Sequence, residues 1–306
     1  MRFPFYVVLA LALVTGPVQG QESPASSEVG TRQLWDESLQ RLRPPDPRRQ
    51  AARKTTPRPA AKGTSDEPLS DAFVAVTLWQ LRPSRGSDEQ GTRLLVHEEE
   101  TGSREELTPE RVSADAPLAE GARVRVSIEP ARAGYLYVVD REQYSDGSFS
   151  DPWLIFPTMQ IRGGNSRVEP GTVVEIPDAS DKTPYLRLRR NRARKGSAAG
   201  EAPEQVSEVL TVLVSPTPLP GLQIGRAAQK LPVAQFQKWE QQWATQTKSI
   251  DAPALAGKAY TAAEKRAGQE GGVLTESDPL PQTIIQTQAK AGDTMLVTLP
   301  IKINRK

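Results

Sequence analysis

The sequence has no cysteine and one histidine, His97, in 306 residues. That excludes disulfides, thiol nucleophiles, cysteine-ligated zinc, iron–sulfur clusters and a lipid-modified cysteine. Two-histidine metal motifs are excluded as well, and a Ser–His–Asp triad would have to use His97. His97 stands beside Glu98, Glu99 and Glu100 and reads as a surface residue, not a base. A dominant charge is lacking too. The 39 basic and 37 acidic side chains leave a net charge of +2, so no global field steers the chain to nucleic acid. There is no G-x-S-x-G, Walker A or G-x-G-x-x-G motif. Asn165, Asn191 and Asn304 all lack the hydroxyl residue of a glycosylation acceptor. These absences point to a protein without a cofactor, and away from an ordinary enzyme.

Long apolar runs are missing except at the N-terminus. Arg2 precedes an almost wholly apolar stretch over residues 3–14, then Pro17 and Val18-Gln19-Gly20. The stretch is shorter than the ~20 residues of a spanning helix. It predicts a Sec-type signal peptide over residues 1–20, cleaved after Gly20, and a periplasmic or extracellular protein without a transmembrane segment. Proline is abundant, at 27 residues. It gathers with positive charge in residues 21–68, where Arg43-Pro44-Pro45-Asp46-Pro47-Arg48-Arg49 follows a possible short helix over 33–42. Between residues 32 and 62, nine basic side chains face three acidic ones. Proline removes helix donors and like charges repel, so this stretch reads as a disordered linker arm.

From residue 69 the pattern turns to strands. Residues 73–79 and 92–96 are β-branched or apolar, and an acidic loop is expected over 98–110. Val124, Val126 and Ile128 alternate with Arg123, Arg125 and Ser127, as in a half-buried strand. Residues 135–139 and 153–156 form a candidate hairpin, followed by strands at 172–176, 185–188 and 209–214. Short strands with Pro and Gly between them predict a mainly β fold, an antiparallel β-sandwich or barrel-like module. Val233, Phe236 and Trp243 give residues 232–246 one apolar helical face, expected to dock on the sheet. Residues 251–278 read as a poorly packed loop with a weak helix near 259–266. Strands at 283–286 and 294–299 are expected to return to the same module, so residues 226–306 form no separate core.

The ordered series Gly134-Tyr135-Leu136-Tyr137, Leu154-Ile155-Phe156-Pro157, Asn165 with Val168, Gly171, Ile176-Pro177, then Val214-Ser215-Pro216 with Pro218-Leu219 resembles the family called domain of unknown function 4384. The resemblance covers residues 72–225. It implies a compact, mostly β bacterial module, found alone in secreted proteins or appended to caspase-like peptidases and serine/threonine kinases. That association implies sensing or partner binding, and no catalytic residue carries over. The 141–151 loop is longer than the resemblance implies, and residues 187–206 read as a basic insertion.

Two sets of side chains are candidates for a site. Tyr135, Tyr137, Trp153, Arg162 and Asn165 could form a stacking face for a sugar or peptide; aromatic residues in a hairpin more often cover a core. Asp140, Glu142, Asp146 and Asp151 supply four carboxylates in one loop, a weak calcium candidate without the EF-hand spacing. The run Lys182, Arg187, Arg189, Arg190, Arg192, Arg194 and Lys195 reads as a solvated loop or a contact for anionic polymer. The expected function is a non-catalytic binding or adaptor module of the bacterial envelope, its partner an envelope protein or anionic envelope polymer and not nucleic acid. The alternatives are a divergent carboxylate-dependent hydrolase and a purely structural envelope protein. Paired acids with shifted pKa values in a cleft would favour the hydrolase.

Overall fold

The computed structural model describes residues 42–47, 70–97, 102–178, 181, 183–190, 202–269, 272–290 and 292–304, with residues 70 and 71 described in backbone only. The signal peptide, most of the 21–68 arm with its helix, Lys182, and residues 191–195 of the basic run lie outside these. Among the described residues no helix is long and apolar enough to cross a membrane.

The strands in chain order are β1 (Ser70–Pro83), β2 (Leu94–His97), β3 (Arg104–Val112), β4 (Arg123–Pro130), β5 (Gly134–Tyr144), β6 (Trp153–Phe156), β7 (Arg167–Val168), β8 (Val174–Ile176), β9 (Leu186–Arg187), β10 (Gln205–Ser215), β11 (Gln229–Lys230), β12 (Thr247–Asp251), β13 (Thr283–Ala289) and β14 (Met295–Lys302). Two α-helices lie wholly within the described residues, α1 (Val233–Trp243) and α2 (Ala262–Gly268). All the pairings between these strands are antiparallel and make two sheets. The eight-stranded sheet runs β12-β13-β1-β3-β2, with β4 also on β1, and β8 and β9 on β4. The six-stranded sheet runs β11-β6-β5-β10-β14, with β7 on β5.

The sheets face each other across one apolar core. Val74, Val76, Leu78, Val126 and Ile128 come from the first sheet, and Leu136, Val138, Leu210, Val212 and Val297 from the second. Burying such a side chain contributes about 1.5–3 kcal/mol, so this layer supplies the main driving force. The protein is thus a mainly β sandwich. The terminal strands divide between the sheets, β13 pairing with β1 and β14 with β10. The apolar face of α1 docks on the sheet as its spacing predicts, except that Val233 at its start is exposed. Phe236 and Trp239 are buried against Tyr137, Val139, Leu213 and Leu296 on the outer face of the six-stranded sheet.

Three expectations need correction. The acidic loop expected over 98–110 contains strand β3, because Leu107, Thr108 and Arg111 are buried where it pairs with residues 78–83. Residues 251–278 are not a poorly packed loop. They carry β12's last residue and α2, and bury Tyr260, Glu264 and Ala267. β4 is not half-buried: Arg125 and Glu129, on its far side, are 2% and 4% exposed. α2 and residues 42–47 cover that side, so the outer face of the eight-stranded sheet is a buried polar layer. In it Arg125 pairs with Glu175 at 2.6 Å, and Arg111 pairs with Glu264. Trp79 lies between the two arginines in register and donates to Ser127 Oγ at 2.8 Å.

Candidate functional site

The structure separates the five candidate binding residues. Tyr137 is buried beneath α1, where its hydroxyl accepts the Leu219 N–H at 2.9 Å, and Tyr135 packs on the same cluster. Both therefore belong to packing and not to an open stacking face. Trp153 is 44% exposed and stands beside Asp140 across the β5–β6 ladder. Asn165 accepts the Arg167 N–H and shapes a turn. Arg162 lines a groove.

That groove holds about 500 Å³ and is lined by Arg93, Leu94 and Leu95, the Gln160–Gly163 turn, Asp178, and Lys265, Gly268 and Gln269 at the end of α2. Its volume is in the range of small-ligand sites. Arg93, Arg162 and Lys265 line it, Lys265 donating to the Gly91 carbonyl, and Asp178 is the one acid among its described lining residues. Arg93 is held by Glu106 at 2.9 Å and by the carbonyls of Arg85 and Asp88, while its Nε–H is buried without an acceptor among the described residues. Arg162 has φ 51°, followed by Gly163 at 59° and Gly164 at 83°. Left-handed backbone costs a non-glycine residue about 1–2 kcal/mol. Glycine at either of the next two positions avoids that cost. Such strain concentrates at functional sites, which makes Arg162 a position to test.

A second groove, of about 590 Å³, lies beside α1. Arg141 lines it, with its guanidinium carbon 4.4 Å from the ring centres of both Phe149 and Phe236 and its charge met by Glu240.

The calcium candidate comes apart. Asp140 and Glu142 lie on β5, which runs to Tyr144 and takes in the start of the expected loop. Asp146 accepts from Ser148 in the turn, and Asp151 pairs with Lys230. Among the described residues no group of three or more His, Asp or Glu side chains is placed to hold a metal ion. Instead Asp140 meets Glu208 of β10, and Glu142 stands opposite Glu208 in register. Burial comes first, and neighbouring carboxylates second, in pushing Asp140 up to about 6 and Glu208 up to about 8. Asp140 Oδ1 and Glu208 Oε2 have no donor among the described residues. A proton held between the two carboxyls would satisfy them. Tyr144 donates to Glu142 at 2.5 Å. The local sequence could not show this pair, because Glu208 comes from a strand more than sixty residues away.

Comparison with protein-family models, with curated proteins and with solved structures finds no match for this chain, so the reading of the site rests on its own geometry.

Proposed function

We propose that this chain is an exported, non-catalytic binding module of the bacterial envelope, and that its groove at Arg93, Arg162 and Lys265 takes an anionic group of an envelope polymer. The N-terminal pattern supports export, and the resemblance to domain of unknown function 4384 supports binding over catalysis. The observation that carries the reading is the convergence of three cationic side chains on one groove with exposed Leu95 at its rim. A charge-assisted hydrogen bond contributes about 1.5–3 kcal/mol, so two such contacts give specificity to a groove of this size.

The test is retention of the chain from Gln21 on an immobilised phosphate-rich envelope polymer, beside a neutral glycan, at low and high salt. The variant with both Arg162→Ala and Lys265→Ala is expected to lose retention about tenfold or more, with part of the wild-type binding surviving high salt. Equal retention of wild type and variant refutes the groove as the site. The basic arm is present in both, so its contribution cancels.

Burial of Asp140 beside Glu208, with one oxygen of each lacking a donor among the described residues, favours a second reading, a carboxylate-dependent hydrolase. Hydrolysis of an envelope glycan that Asp140→Asn abolishes, in a folded protein, would favour this reading over the first.

A further inference from the structure

Residues 42–47 are seated on the polar outer face of the eight-stranded sheet, and one side chain anchors them. Arg43 is 1% exposed and its partner Glu129 5% exposed at the side chain. Arg43 Nε and Nη2 donate to the two oxygens of Glu129, each at 2.6 Å. Its Nη1 reaches the carbonyls of Thr275, Asp278 and Pro279 at 3.2–3.4 Å. A bidentate carboxylate ringed by carbonyls matches the planar, multi-donor guanidinium and not the compact ammonium of lysine.

The neighbours of Arg43 are held as well. The Glu276 N–H donates to the Pro44 carbonyl at 3.2 Å, and the Ser277 hydroxyl donates to Asp46 at 2.8 Å. Pro44 sits against Gly171, where an added Cβ would lie 2.9 Å from its Cδ and 2.5 Å from the Leu274 carbonyl. The turn over residues 275–279 therefore contacts a guanidinium, a proline carbonyl and a carboxylate three positions beyond the arginine. In sequence, residues 48–69 separate the docked segment from β1. A cavity of about 20 Å³, lined by Arg43, Trp79, Ser127 and Glu129 among others, lies at the contact and has room for one water.

We infer that this face is a recognition site for an Arg-Pro-Pro-Asp segment, and that the chain's own arm is its resident ligand. The site shares no lining residue with the anion groove, so the two stand or fall separately.

The test uses the full chain with Arg43→Ala, which empties the guanidinium site, and Arg43→Lys, which keeps a charge beside Glu129 but loses the bidentate pair. The probe is a labelled synthetic peptide with the sequence of residues 40–49, beside the same peptide carrying lysine for the arginine. The arginine peptide is expected to bind Arg43→Ala at least tenfold more tightly than it binds wild type, whose site is filled by a tethered competitor. The lysine peptide is expected to bind at least tenfold more weakly, and Arg43→Lys to fall between Arg43→Ala and wild type. Native-like melts with no peptide binding to either variant overturn the inference. Loss of the fold in both variants also overturns it, because the arm would then be part of the core and not a ligand.

Discussion

Arg162 can be tested by separating its backbone from its side chain. Its φ of 51° puts it in left-handed backbone, in a turn closed by the Gly164 N–H on the Ile161 carbonyl and the Asn165 N–H on the Arg162 carbonyl. Arg162→Ala and Arg162→Gly both remove the guanidinium, but only glycine removes the backbone cost of about 1–2 kcal/mol. Glycine gives back about 0.4–1 kcal/mol through the freedom it adds to the unfolded chain. The glycine variant should therefore be more stable than the alanine variant by roughly 0.5–1 kcal/mol, a difference of about 1–4 °C in Tm for a domain of this size. Paired thermal melts measure it. Anion retention should fall equally in both, because both lose the same charge. An alanine variant that melts as high as the glycine variant would show that the turn relaxes without strain, and would remove the argument that Arg162 is placed for function. Wild-type retention by either variant would remove Arg162 from the groove.

The carboxyl pair makes a prediction for pH. Asp140 and Glu208 have raised pKa values in the folded state, so that state holds more protons than the unfolded chain between the ordinary carboxyl value near 4 and about 8. Their contribution is fully present below that window and is lost as pH rises through it. Glu208→Gln should flatten the decline and raise the melting temperature at pH 8 relative to wild type. Each tenfold gain in proton affinity on folding corresponds to about 1.4 kcal/mol, and an unchanged slope in paired melts from pH 5 to 8 would contradict the shared proton. Gly268→Ala tests the polar layer, since an added Cβ would fall 2.4 Å from the Glu175 carboxyl carbon. Glu175 is held by Arg125 at 2.6 Å and by Tyr260, and has no free direction to move. Breaking a buried pair costs about 3–5 kcal/mol, which denaturant unfolding would register; a loss below about 1 kcal/mol would show that the layer adapts.

The inner core of the sandwich was legible because its signal is local. The Val124, Val126, Ile128 alternation and the 209–214 run each state their own strand. The far side of the eight-stranded sheet was not legible, because distant segments bury it. Arg125 looks like a solvent-facing residue until Glu175 and the 252–282 segment are brought over it. β3 was hidden by Glu105, Glu106 and Glu110, whose charge suits a loop, while its burial comes from pairing with a strand some thirty residues earlier. α2 left a trace that a closer reading could have used: Thr261 and Glu264 have capping-box spacing, and both halves of that box are formed. Of the candidate site, Arg162 was singled out from the sequence, whereas Arg93 and Lys265 reach the same groove only through the fold. The acids of the 140–151 stretch were noticed, but their partner Glu208 stands just before an apolar run and carries no mark of its own.

The polar layer has a different physical task from the core beneath it. Buried ion pairs contribute little net stability, because desolvation cancels much of the attraction, yet they penalise any arrangement that leaves one partner alone. Here each pair joins segments that are remote in sequence. Arg43 ties the arm to β4 and Arg111 ties β3 to α2, while Arg125 ties β4 to its neighbour β8 within the sheet. An apolar cover could slide across an apolar sheet at small cost, whereas the Arg43 and Arg111 pairs each fix one position of the cover. The sandwich core, made by Val74, Val126, Leu210 and their neighbours, contains none of these groups. The covering segments can therefore be specific in where they dock without being what drives the sheets together. A surface of that kind suits exchange of one bound segment for another of the same chemistry.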